Sequence, residues 1–161
     1  MIEGVVMPTV RHTGSLFMVD LLPYERCTLR GKPGEYPLFF DHAYDLHMKH
    51  FFKWIEEYPT VVIPLRDPMD CARSWAKRRE SFKWFNQMWE NLIQFDRFNP
   101  FYIPIDKTDK QNRLDALADH LGVELATDWT PINTCSDQAI AIPESVKDVY
   151  SLPVIKDFYE I

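Results

Sequence analysis

Two segments, Arg11-His12-Thr13-Gly14-Ser15 and Arg66-Asp67-Pro68-Met69-Asp70-Cys71-Ala72-Arg73-Ser74, carry the residues of this chain best suited to chemistry on an anion. In the first, Gly14 permits a tight turn or close backbone approach, and N–H groups at a following helix start favour negative charge. Arg11 adds a forked cation, Ser15 a hydroxyl donor, and Thr13 lies in the same turn. His12 can support a leaving phosphate when protonated; when neutral it donates through a single ring nitrogen. In the second segment, Arg66 precedes a helix start and Ser74 lies about two turns into that helix. Together they can grip a phosphate. Arg73 points about 100° away from Ser74, toward solvent or Asp70. Asp67 suits an N-cap and Pro68 the first helical turn, and an ion pair between Arg66 and a carboxylate is the purely structural alternative.

The elements that position these groups follow from the apolar pattern. Residues 4–7 read as a buried strand, leading through the turn at Gly14 into a short helix over 16–22. Residues 23–37, with Pro23, Gly31, Pro33, Gly34 and Pro37, read as a loop made basic by Arg26, Arg30 and Lys32. A brief strand over 37–40 ends at Asp41-His42, and a helix over 44–57 presents Met48, Phe51, Phe52 and Ile55 on one face. Thr60–Leu65 reads as a buried parallel strand, although Pro64 lacks the amide a central strand needs. Helices are expected over 69–79 and about 82–97, followed by a strand over 101–105 that repeats the late-proline problem at Pro104. Thr108 with Gln111 suggests a capping box ahead of the Leu114, Leu117, Ala118, Leu121 stripe, which stops at Gly122. Beyond 123, only a helix near 144–151 is indicated.

This alternation predicts one α/β domain over 1–161, three layers α/β/α around a short, mostly parallel sheet with strand order 2-3-1-4. In such sheets ligands gather beyond the C-terminal ends of the strands. The Arg11–Ser15 turn, Asp41-His42 and Arg66-Asp67 each follow a strand, so the fold should bring all three to one rim.

Composition narrows the alternatives. The 161 residues carry 18 Lys and Arg against 24 Asp and Glu, a formal charge of −6, with 46% hydrophobic and 14% aromatic residues. A negative chain is a poor nucleic-acid coat or anionic-membrane binder, while the apolar content supports a sizeable core. No apolar run is long enough to span a membrane, and no positive n-region marks a signal peptide. Cys27, Cys71 and Cys135 form neither a CxxC pair nor an even framework, which suggests reduced thiols and a cytoplasmic location. The GxxxxGK[ST] loop is missing, so an ordinary magnesium-dependent ATPase site is not specified. His47 and His50 can share a helix face but have no third ligand at persuasive spacing, and no metal is expected. The tryptophans read as core, with one ring free to stack on adenine or line an acceptor site. Cys71 reads as packed rather than nucleophilic.

On its two anion-binding segments the sequence resembles the sulfotransferases that use 3'-phosphoadenosine 5'-phosphosulfate. His12-Thr13-Gly14-Ser15 resembles their 5'-phosphosulfate loop, a Lys/Arg-x-Gly-Thr/Ser turn after the opening strand. Arg66 and Ser74, eight positions apart, resemble their 3'-phosphate site. FYIPIDKTDKQNRLDALADHLGVE is similar to the later strand and helix, so the resemblance spans most of 4–125. It implies a P-loop nucleotide-kinase-like fold and transfer of a sulfuryl group to a hydroxyl or amine, leaving adenosine 3',5'-bisphosphate. The acceptor would be a small molecule, carbohydrate or peptide, with 23–37 near its site and self-association an option. The cofactor contacts would come from Arg11, His12, Thr13, Gly14, Ser15, Arg66 and Ser74. Arg11 and His12 would support the leaving group, and His42 resembles the family's catalytic base, with Asp45 or Glu35 as the alternative. His12 stands where a Lys or Arg is usual, Leu16 where a second hydroxyl is common, and no C-terminal Arg-Lys-Gly segment follows. Another nucleotide or phosphate-transfer enzyme and a noncatalytic nucleotide-binding module are the competing readings.

Overall fold

The computed structural model describes residues 4–13, 18, 21–24, 26–27, 33, 35–126 and 141–159. Five strands, β1 (Val5–Thr9), β2 (Arg26–Cys27), β3 (Leu38–His42), β4 (Thr60–Leu65) and β5 (Phe101–Pro104), form one sheet in the order β2-β3-β1-β4-β5. Every strand pair is parallel. Among the described residues α-helices accompany them: α1 (Asp45–Glu57), α2 (Pro68–Lys77), α3 (Phe85–Ile93), α4 (Lys110–Leu121) and α5 (Pro153–Phe158).

Because side chains alternate across a strand, the two faces of the sheet build separate cores. Val6, Phe39, Val61, Ile63 and Leu65 pack with α1, α2, α3 and the C-terminal arm. Val5, Met7, Leu38, Val62 and Ile103 pack on the other face with Met18, Leu21 and the Leu114, Leu117, Leu121 stripe of α4. The strands are therefore apolar on both sides, as a covered parallel sheet requires.

Several expectations are corrected. Over the four strands read from the sequence, the order is 2-1-3-4, not 2-3-1-4: β1 is central, paired with β3 along its whole length and with β4 on its other side. Two-sided apolar strands carry no pairing information, so their neighbours could not be assigned from pattern. Residues 26–27, expected within a loop, add a short edge strand against β3. The segment 82–97 is one α-helix, α3, between two 3-10 turns, Phe82–Trp84 and Gln94–Phe98. The capping box does not form: Asp109 is the N-cap of α4 without a side-chain bond, and Gln111 donates to Asp115 instead. Residues Glu144–Ser151 coil as a 3-10 helix, and α5 follows unannounced by the sequence. The 16–22 helix lies mostly outside the described residues, as do Arg30 and Lys32 of the basic loop; the Arg26 side chain is likewise not described.

The strand prolines have a common explanation. Along a strand, successive residues turn their amide and carbonyl to opposite neighbours. Val5 donates to Pro37 and Thr9 accepts from Ala43, so odd residues of β1 face β3 and Pro8 faces β4. Leu65 accepts from Ile105, so Pro64 faces β1. The registered β1–β4 pairs end at Val6 with Val61. The next two ladder bonds would need the N–H groups of Pro8 and Pro64, which do not exist. Pro104, by the same alternation, points outward from edge strand β5, where no partner is lost.

Gly4 leads into β1 beneath the Tyr58 ring; a Cβ there would lie 2.3 Å from Tyr58 Cδ1. That ring is held by its hydroxyl bond to the Tyr36 carbonyl at 2.7 Å and by Trp54 at 5.4 Å between ring centres. Gly4→Ala should therefore destabilise the fold by about 1–3 kcal/mol, read as a lower urea midpoint at unchanged slope. An unchanged midpoint would show that the ring yields freely.

Candidate functional site

The polypeptide leaving β1 is held by α2 and by Arg66, which lies between β4 and α2. Cys71, Ser74 and Trp75 fall at i, i+3 and i+4, on one helical face. Cys71 Sγ and Trp75 Nε1 both donate to the Arg11 carbonyl, at 3.1 and 3.0 Å. Arg66 Nη1 donates to the His12 carbonyl at 3.2 Å, and Ser74 Oγ lies 3.1 Å from His12 Nδ1. Arg66, with 6% exposure, is the one buried charged residue among those described. The two segments singled out in the sequence thus meet beyond the C-terminal ends of β1 and β4. Arg73 instead pairs with Asp70 at 2.8 Å, as its place on the wheel requires.

His12 has φ of 67°, the left-handed region that costs a non-glycine residue on the order of 1 kcal/mol. Its ring is the centre of the site. Nε2 lies 3.0 Å from Glu80 Oε1, and an ionised carboxylate can only accept, so Nε2 carries the hydrogen. Burial lowers the His12 pKa, outweighing the opposite effect of Glu80, while Arg78 and Arg11 add to the lowering. In the resulting neutral ring Nδ1 accepts from Ser74, giving a directed chain from hydroxyl through imidazole to carboxylate. Arg11 Nη2, half-exposed, lies 3.6 Å from the same Glu80 oxygen. Glu80 Oε2 is buried with no hydrogen-bond partner.

His42 closes β3 beside this group. Thr9 Oγ1 is 2.8 Å from His42 Nδ1 and 3.2 Å from the Asp41 carbonyl. When the single hydroxyl hydrogen goes to that carbonyl, His42 Nδ1–H donates to Thr9 and Nε2 becomes the proton acceptor. Burial, and then the charges of Arg11 and His12, lower the His42 pKa to about 4. His47 Nδ1 donates to the His42 carbonyl at 2.7 Å, anchoring that strand end. Asp45 and Glu35, the alternative bases, are exposed, and Asp45 accepts from Asn91 at 2.7 Å.

The remaining expected residues divide. Thr13 donates its hydroxyl to the Val10 carbonyl at 2.7 Å and so serves the turn itself. Gly14 and Ser15 lie outside the described residues. Asp67 caps α2 by accepting from Met69 N at 2.9 Å and from the Tyr150 hydroxyl. The Cys71 thiol is buried, with its pKa pushed up by desolvation, and is no nucleophile at neutral pH. Trp54, Trp75 and Trp89 are core residues. Among the described residues no cluster of three metal-ligating side chains occurs.

Glu80 and Thr9 were not legible as site residues. Glu80 follows the end of α2 in a run of charges, Lys77-Arg78-Arg79-Glu80, that reads as solvated surface. Thr9 offered one signal, a hydroxyl at the end of an apolar strand. Cys71 and Trp75 read as core, which they are, but their polar atoms also fix the turn.

No protein-family model matches this chain, and neither a curated protein nor a solved structure matches it at a significant level.

The lowered histidine pKa values make a signed prediction. A histidine kept neutral by folding adds stability above its unfolded pKa near 6.5, and that stability is lost as pH falls through the folded value. Between pH 7 and 4, wild type should lose up to about 3 kcal/mol more than His42→Gln, measured by denaturant unfolding at each pH. Parallel losses in the two proteins would show that His42 is not held neutral.

Proposed function

We propose that this chain transfers a sulfuryl group from 3'-phosphoadenosine 5'-phosphosulfate to a hydroxyl or amine acceptor, on a P-loop-type α/β frame. The observation that carries the reading is the meeting of Arg66 and Ser74 with the His12 turn, at 3.2 and 3.1 Å, from segments 54 and 62 residues apart in sequence. The donor set suits such an anion. Arg11 and His12 already hold one anionic oxygen, that of Glu80. Arg66 and Ser74 adjoin them, so both ends of one doubly anionic nucleotide would find donors within a single cluster.

When bound, the phosphosulfate supplies a sulfuryl group joined to a phosphate leaving group. Arg11 and the Nε2–H of His12 would bind its anionic oxygens and stabilise the charge that grows on the leaving side. Arg66, permanently charged, and the Ser74 hydroxyl would take the 3'-phosphate. His42 would accept the proton of an acceptor hydroxyl at Nε2. With a pKa of about 4 its ring is unprotonated throughout the neutral range, a weak base that acts as the proton becomes acidic in the transition state. A small molecule, carbohydrate or peptide remains the acceptor class.

The test separates the two phosphates. Arg66→Ala should weaken adenosine 3',5'-bisphosphate binding about 10- to 100-fold and adenosine 5'-phosphate binding far less, by calorimetry. Equal weakening of both rejects the assigned contact, and Arg66→Lys guards against a mere collapse of the turn. His42→Ala should cut transfer to a hydroxyl about 100-fold at unchanged nucleotide affinity. Undiminished turnover would remove its role.

The Ser74–His12–Glu80 chain supports a second reading, in which Ser74 is a nucleophile activated by His12 and Glu80 orients the base. A fluorophosphonate probe would then label Ser74 in wild type and not in His12→Ala. Absence of labelling retires this reading and leaves the first intact.

A further inference from the structure

We propose that Glu80 is a built-in anion: it closes the phosphate cradle of the unliganded protein and gives way when a phosphate-type anion enters. The inference deepens the nucleotide reading and rests on it only for the identity of the physiological anion.

Glu80 is placed as a ligand would be. One of its oxygens, Oε1, is shared by His12 Nε2 at 3.0 Å and Arg11 Nη2 at 3.6 Å, the donor and the cation already assigned to the cradle. The other oxygen is buried with no partner. A carboxylate kept for structure normally satisfies both oxygens, because a stranded buried acceptor is unfavourable. A tetrahedral anion, with oxygens aimed in several directions, can engage Arg11, His12 and neighbouring hydroxyl donors together, whereas a planar carboxylate tethered to the chain cannot.

The backbone is left-handed at His12 and at the residue before Glu80. His12 (φ 67°) and Arg79 (φ 57°) are two of the three non-glycine residues with positive φ among those described. Arg79 directly precedes Glu80, and the end of α2 is wound so that Arg79 N donates to Ala76 and Glu80 N to Trp75, both at 3.0 Å. That winding turns Glu80 back toward β1. Strain at His12, with an orphaned oxygen on the carboxylate it holds, marks an arrangement in which that carboxylate is not fully satisfied. Release is open to Glu80, since 20% of its side chain already reaches solvent. An incoming anion would then take the His12 Nε2–H and Arg11 that Glu80 vacates, and its apparent affinity is reduced by the fraction of molecules in which Glu80 still occupies them.

The experiment compares wild type, Glu80→Gln and Glu80→Asp as full chains. Inorganic pyrophosphate and adenosine 3',5'-bisphosphate are titrated by calorimetry, and the His12 ring nitrogens are followed by NMR. Pyrophosphate should move the His12 Nε2 signal in wild type, and Glu80→Gln should bind pyrophosphate about 5- to 20-fold more tightly. Glu80→Asp, which keeps the charge but shortens the reach by one methylene, should fall between them. Equal or weaker pyrophosphate binding by Glu80→Gln, with its fold intact, overturns the proposal and makes Glu80 a structural partner of His12. If Glu80→Gln fails to fold, Glu80→Asp decides alone: binding no tighter than wild type overturns the proposal. Tighter pyrophosphate binding in the variant, with adenosine 3',5'-bisphosphate bound no better than pyrophosphate, sustains the Glu80 role and defeats the nucleotide reading. Binding of neither anion by any of the three proteins overturns both.

Discussion

The site depends on two hydrogen bonds that this sheet cannot make. Pro8 and Pro64 face one another across the junction of β1 and β4, and the registered pairs stop at Val6 with Val61. With no donors to continue the ladder, β1 is free to leave its neighbour while keeping β3 along its full length. The carbonyls of the turn beyond it still need partners, since a buried backbone acceptor is not left unpaired without cost. They find them in side chains: Cys71 and Trp75 on the Arg11 carbonyl, Arg66 on that of His12. Arg66, Cys71, Ser74 and Trp75 thus hold the turn that β1 leads into, and these contacts bring the distant segments together.

The resulting group of charges is asymmetric in a useful way. Burial lowers the pKa of both histidines and favours their neutral forms, while the guanidiniums of Arg11 and Arg66 lie beside them. The histidines therefore act as oriented dipoles, each with its tautomer set by a fixed neighbour: Glu80 for His12 and Thr9 for His42. Permanent charge comes from arginine, and Glu80 is the carboxylate in direct contact with the cradle. Such a composition favours binding of a multiply charged anion over binding of a proton, and it keeps the site's character constant across neutral pH.

The sequence carried these features unevenly. Apolar periodicity located four strands and the helices that cover them, because a two-sided sheet and amphipathic helices leave period-specific traces. Strand order left none: Val5, Val6, Val61 and Val62 are equally apolar, and nothing in them says which strands adjoin. Arg66 and Ser74 were legible because the helix between them has a fixed rise, so eight positions fix two turns. Glu80 was not, because its position depends on how the chain unwinds at Arg78 and Arg79, a matter of three-dimensional packing. The objection that Pro64 raised as a strand residue proved informative: it marks where the ladder ends, not an error in placing the strand.

The C-terminal arm determines where affinity for an anion can originate. At the start of α2, Asp67 accepts from Met69 N, and Tyr150 bridges to both. Next to it, Asp106 accepts from Asp67 N at 2.7 Å and from Tyr159. Burial and the adjoining carboxylates raise both phenol pKa values, so the tyrosines remain neutral donors that close this end. A helix terminus capped by one carboxylate and faced by another cannot also attract a phosphate by its dipole. On the proposed reading, the pull on an anion would come from Arg11, Arg66 and the two imidazoles, on the inner face of α2 rather than at its tip.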